Sequence, residues 1–164
     1  MYEIVINDQQ DLIEVSLERI EAIVRDVLTH ERVTGAEVSI ALIDGRTMRR
    51  LNNTHLGHDY DTDVLSFLLE SSPQETSGEI PRGAGKRIEG EILLSTQIAL
   101  QAARDYNWDV EHEVALYVVH GLLHLLGYDD LTDEESKLMR SRECLHLSRW
   151  NLVPPGRSDA AIVD

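Results

Sequence analysis

Ala115-Leu116-Tyr117-Val118-Val119-His120-Gly121-Leu122-Leu123-His124-Leu125-Leu126-Gly127-Tyr128-Asp129-Asp130 is the stretch on which the reading of this chain turns. From Ala115 to Leu126 it is apolar apart from His120, Gly121 and His124, which predicts a helix buried on nearly all sides. On such a helix, positions four apart lie about 40° apart around the axis and about 6 Å along it. His120 and His124 therefore project from one face and can share one ion. Gly127 can adopt the left-handed conformation that ends a helix, so the chain is expected to turn back and carry an acidic residue toward the same ion.

Asp130 is the expected third ligand and Asp129 the alternative. The spacing His-x3-His-x2-Gly-x2-Asp resembles the metzincin pattern with its third histidine replaced by aspartate. Two imidazoles and one carboxylate leave a coordination position for water, as in catalytic rather than structural zinc sites. Zinc suits this set best, although iron(II) or manganese takes similar ligands. The competing interpretation is a pair of hydrogen-bonded core histidines, which needs two separate sets of buried polar partners. A zinc protease or amidase is disfavoured because Gly121 stands where zincins carry the glutamate base; Glu111 or Glu113 would have to replace it.

Outward from this helix the periodicities change. Tyr2 to Asn7 alternates as a strand does, and Ile13, Leu17, Ile20, Val24 and Val27 then repeat at helical spacing. Glu37 to Asp44 reads as a second strand, with Asp44-Gly45 turning into a short helix over residues 46–53. Strands are expected over 63–69 and 88–94. The Ser-, Pro- and Gly-rich segment 71–86 between them is expected to be a mobile loop. Ser95 or Thr96 can cap a helix reaching Tyr106, and the histidine-bearing helix follows from about Trp108. Thr132 and Glu135 match a capping box opening a last helix, whose Leu138, Leu145 and Leu147 lead toward Trp150. The expected fold is α+β: a single domain over 1–153, with a four-stranded mixed sheet packed against about five helices and the metal site at the end of a central helix. Residues 154–164 read as a flexible C-terminal tail.

Composition bounds the function. At 164 residues and 42% hydrophobic content the chain can bury one good core. Its single cysteine, Cys144, excludes an intrachain disulfide and suits a reducing compartment, so a cytoplasmic location is expected. No segment has the length of a membrane span, and the first residues lack a basic run followed by an apolar one. The formal charge of −15 argues against tight binding of free nucleic acid. The basic clusters are Arg46, Arg49 and Arg50, then Arg82, Lys86 and Arg87, then Arg140 and Arg142; such clusters are ordinarily solvated faces that balance nearby acids.

The motifs His120-Gly121-x-Leu123-His124-Leu125-x-Gly127-Tyr128-Asp129, Thr62-Asp63-Val64-Leu65-Ser66-Phe67, Leu51-Asn52 and Gly90-Glu91-Ile92 before Ser95 together resemble the bacterial YbeY proteins. That resemblance implies the same fold, with the 62–67 segment lining the cleft. It also implies a zinc-dependent, single-strand-specific endoribonuclease acting in 16S rRNA 3′-end maturation and ribosome biogenesis. The expected partners are single-stranded RNA, chiefly rRNA, and the ribosome or its proteins, with neither membrane nor DNA. This chain departs from the family pattern twice: Asp130 replaces a third histidine, and Leu56 precedes Gly57 where the family has an arginine. An arginine beside the metal would clamp a phosphate gathering charge in the transition state. Arg49, Arg50, His55 and His58 lie nearby in sequence, with Arg50 and His58 the catalytic candidates and His58 suited to proton transfer. Loss of the arginine leaves a metal-stabilised ribosome-assembly or RNA-binding factor, with little nuclease activity, as the alternative function.

Overall fold

Strand alternation builds β1 (Tyr2–Asp8), with Tyr2, Ile4 and Ile6 turned toward the core. The computed structural model describes residues 1–56, 63–73 and 80–155, without the side chains of 52–56. α1 (Leu17–His30) opens at Ser16, whose hydroxyl accepts from the Arg19 N–H, and it buries Ile20, Ile23, Val24, Val27 and Leu28. β2 (Gly35–Ile43) then pairs parallel to β1. α2 (Gly45–Leu56) leads toward β3 (Val64–Ser72), which pairs antiparallel with β4 (Arg87–Ser95), and β4 returns parallel to β2. The order β1-β2-β4-β3 is the expected four-stranded mixed sheet.

α3 (Thr96–Tyr106), α4 (Val110–Leu125) and α5 (Asp133–Ser148) complete five helices among the described residues. α4 lies at the centre, packed against α1, α3, α5, β3 and β4, which is why its sequence is apolar almost all round. Gly121 sits where α4 crosses β4: a Cβ there would lie 3.0 Å from Ile92 Cγ2. The position that zincins give to glutamate therefore faces the sheet.

The other sheet face divides in two. One end is covered by α2, whose Met48 and Leu51 pack on Ala41, Ile43, Leu65, Phe67 and Leu93. On the strands beyond, Glu3, Glu37, Glu89 and Glu70 stand at directly paired positions across the sheet. Part of the chain's negative charge is thus concentrated on the strands, where it repels a phosphate backbone.

Two expectations need correction. Segment 71–86 is not one loop: Ser71 and Ser72 continue β3 opposite Ile88 and Arg87, and Arg82 and Lys86 are tied to the end of α4, while residues 74–79 lie outside the described residues. The clusters containing Arg82, Lys86, Arg140 and Arg142 are not solvated faces, because these side chains satisfy buried carbonyls and carboxylates. On α5, Leu145 is exposed while Arg140, Glu143 and His146 join Met139 and Leu147 inside. That helix faces Glu31, just after α1, and His120 on α4, so part of its inward stripe is charged. Of the segment expected as a tail, Pro154 is buried, and residues 156–164 lie outside the described residues.

Candidate metal centre

α4 starts at Asp109, whose carboxylate accepts from the Glu111 N–H, and ends by a backbone device. Gly127 takes φ +102°, its N–H donates to the His124 carbonyl at 3.1 Å, and the Tyr128 N–H donates to the Leu123 carbonyl at 3.0 Å. These crossed bonds satisfy carbonyls that the helix would leave open and reverse the chain. A Cβ at this φ is strained, so Gly127→Ala is expected to lower stability by about 1–2 kcal/mol. A urea midpoint unchanged from wild type would contradict that expectation.

The reversal brings Asp130 back to the histidines. One ligand atom each from His120, His124 and Asp130 lies within 4.8 Å of the others. The His120 and His124 Nε2 atoms are 3.1 Å apart, and Asp130 Oδ2 lies 3.9 Å from His120 Nε2. Asp129, the alternative ligand, instead accepts from the Leu131 N–H at 3.2 Å.

The hydrogen bonds around the rings decide whether this cluster suits a cation. His120 Nδ1 faces Glu143 Oε2 at 2.6 Å, and His124 Nδ1 faces the Tyr128 carbonyl at 3.1 Å. Both partners are acceptors, so each neutral ring carries its proton on Nδ1 and a lone pair on Nε2. Two lone pairs at that separation repel unless something positive lies between them. Tetrahedral zinc, with Zn–N of about 2.0–2.1 Å, holds two nitrogens about 3.3 Å apart. The donor set and its spacing therefore fit a divalent ion.

Glu143 is the residue that sequence reasoning missed. Only 2% exposed, it joins two partners: Oε2 to His120, and Oε1 to Arg140 Nη1 at 2.9 Å. A carboxylate behind a metal-ligating histidine fixes the tautomer and makes the ring a stronger donor. Burial alone would depress the His120 pKa, but the Glu143 hydrogen bond and charge outweigh it and raise it. At His124, burial and then repulsion from His120 win, and its pKa is lowered. Glu143→Gln is expected to weaken metal binding about 10–100-fold by removing that charge. Metal titration of the folded variant checks this, and wild-type affinity would rule it out.

His120, His124 and Asp130 open on a cavity of about 240 Å³, whose wall includes Asp63, Val64, Leu116, Tyr117 and Arg140. Of the 62–67 segment, Asp63 and Val64 thus reach the cleft, and Thr62 lies outside the described residues. Arg50 is exposed on α2 and is not among the described residues lining this cavity. His58 lies outside the described residues, as do the side chains of His55 and Leu56.

The end of α4 is braced from outside the site. Arg82 Nη1 donates to the Gly127 carbonyl and to Glu135, and Lys86 Nζ donates to the Leu126 carbonyl at 2.8 Å. Thr132 caps α5 as expected, but the Glu135 carboxylate pairs with Arg82. Tyr128, 1% exposed, has its hydroxyl between the Arg82 N–H, which donates to it, and Glu31 Oε1, which accepts from it at 2.7 Å. No single residue of this brace stands out in the sequence, because each partner comes from a distant segment.

Comparison with known proteins gives one consistent result. The family model described as Endoribonuclease YbeY matches residues 5–151. A protein of Salinibacter ruber named Endoribonuclease YbeY is 40% identical over 136 residues, covering 83% of this chain and 82% of its own length. One of the same name from a Thermoanaerobacter species is 37% identical over 156 residues, covering 91% and 98%. The solution structure of a Thermotoga maritima protein aligns with a TM-score of 0.60 at 25% identity, covering 92% of each chain.

Proposed function

This chain belongs to the YbeY endoribonuclease family, and from that membership we propose that it is a metal-dependent endoribonuclease cutting single-stranded RNA. The observation that carries metal dependence is the pair of Nε2 lone pairs facing each other at 3.1 Å, with both Nδ1 atoms already bonded to acceptors. We take His120, His124 and Asp130 as the ligands and zinc as the ion. When bound, zinc would supply Lewis acidity, making water a better nucleophile and polarising a phosphoryl oxygen.

The protein's own groups do the rest. Glu143 and the Tyr128 carbonyl hold the two rings in one tautomer and orientation. Asp63, on the cavity wall outside the ligand set, is proposed to take up a proton released during attack. His58 is proposed for proton transfer and Arg50 for a phosphate contact; cleavage unchanged in both His58→Ala and Arg50→Ala would remove them. The substrate we propose is ribosomal RNA, at the 16S 3′ end, reached with help from the ribosome or its proteins because the chain's net charge of −15 opposes free RNA binding. The location we propose is the cytoplasm; among the described residues no helix is long and apolar enough to cross a membrane.

The test is cleavage by purified, metal-loaded protein of single-stranded RNA, a duplex of the same sequence, and casein. Loss of the single strand alone, abolished by chelation and restored by zinc, is the expected result. Metal bound at one equivalent with the RNA left intact would overturn the nuclease reading and favour the assembly factor. Casein hydrolysis is not expected, because Gly121 is pressed against Ile92.

A further inference from the structure

Arg140 lies in the wall of the same cavity as His120, His124 and Asp130, with its side chain 8% exposed. Buried arginine is uncommon and is retained where its charge has a partner. Here Glu143 holds Arg140 Nη1 at 2.9 Å from the next turn of α5, and its second oxygen holds His120. The guanidinium is therefore locked to the frame that orients a metal ligand.

The charges around the cavity give this arrangement a direction. Asp63 and Asp130 line it, and Glu143 stands behind His120. Among the described residues, a divalent ion and the Arg140 guanidinium together would balance these three carboxylates. Without the guanidinium, the described residues of the metal-loaded site would keep a net negative charge against an anionic substrate, in a chain already at −15. A planar guanidinium also matches the oxygens of a phosphate in a way that an ammonium does not.

We infer that Arg140 is the phosphate-binding residue of this site, contacting a non-bridging oxygen of the phosphodiester and stabilising the charge that gathers there during cleavage. This rests on the nuclease reading above for its substrate. It assigns to α5 the role that the sequence motif would have placed before Gly57, where this chain carries Leu56.

The experiment separates the two readings. Protein loaded with one equivalent of zinc and freed of excess metal is titrated with inorganic phosphate, as wild type, Arg140→Gln and Arg140→Lys, and zinc affinity is measured for each. Arg140→Gln is expected to bind phosphate at least about 10-fold more weakly while zinc affinity stays within about threefold, and RNA cleavage should fall about 100-fold. Arg140→Lys keeps the charge without the fork and should fall between; it carries the test if the glutamine variant does not fold. Unchanged phosphate affinity would overturn the proposal. So would a fall in zinc affinity that accounts for the lost cleavage, since Arg140 would then act only through Glu143 and His120. Wild-type protein that binds phosphate through Arg140 but leaves RNA intact would sink the nuclease reading and leave the phosphate site standing.

Discussion

His124→Ala is expected to leave a folded protein that no longer retains zinc at one equivalent and cleaves RNA at least about 1000-fold more slowly. Structural zinc sites contribute roughly 10–16 kcal/mol over four ligands, so one imidazole accounts for about 3 kcal/mol, or at least about 100-fold in affinity. Cleavage falls further because the remaining His120 and Asp130 do not fix the ion in one place, and misplacement alone is costly to catalysis. The fold should tolerate the change. His124 is partly buried, its Nδ1 bonds to a carbonyl within the same turn-back, and its Nε2 faces a repelling lone pair when no cation is present. Zinc should raise the wild-type melting temperature, by about 4 kcal/mol of linkage at a thousandfold excess over Kd, and leave that of the variant unmoved. Full zinc occupancy in His124→Ala, measured by elemental analysis, would remove His124 from the ligand set.

Glu31→Gln is expected to produce the largest loss of stability, about 3–5 kcal/mol, from a residue far from the ligands in sequence. Glu31 follows α1 and is fully buried. It accepts from His146 Nε2 at 2.6 Å, Arg142 Nε at 3.1 Å and the Tyr128 hydroxyl at 2.7 Å. An amide keeps the shape but removes the charge opposite Arg142, and it turns one acceptor into a donor. Native stabilities are commonly about 5–15 kcal/mol, so much of the total is at stake. The loss should reach the metal as well, since the Tyr128 that Glu31 anchors supplies the carbonyl that orients His124.

The same network sets an acid limit. Burial alone would raise the Glu31 pKa, but the bonds from His146, Arg142 and Tyr128 outweigh it and hold the carboxyl below its usual 4.5. A depressed carboxyl contributes stability that is complete above its unfolded value and is lost as pH falls through its folded value. Wild-type stability should therefore drop as pH falls from about 4.5, and this part of the drop should vanish in Glu31→Gln. The Tyr128 hydroxyl, pushed up to about 12 chiefly by burial, stays protonated throughout and keeps donating. Urea melts of both proteins at pH 7 and pH 4 check both parts; equal midpoints at pH 7 would refute the first.

How much was legible follows from the range of the interactions concerned. The period of α1, the caps at Ser95 and Thr132, the glycine turn at Gly127 and the pairing of His120 with His124 are written in a few consecutive residues. The strand alternation was also recoverable, although β3 runs past its expected end because sheet pairing continues through Ser71 and Ser72. Of the leucines that the last helix carries toward Trp150, Leu147 is inside and Leu145 is outside. The face of α5 was set by what lay opposite it, and that was Glu31 and His120 rather than more hydrocarbon.

The chain by itself therefore determined an α+β domain around one apolar helix, and on that helix two imidazoles able to share an ion. Those properties depend on side-chain period and on φ preferences within about one turn. Tertiary structure decided which charged residues serve the site: Glu143, 23 residues from His120, Arg140 in the cavity wall, and Glu31, 115 residues from His146. In sequence these look like ordinary surface acids and bases, because a charge reveals its role only once burial removes its water and a partner from a distant segment replaces it.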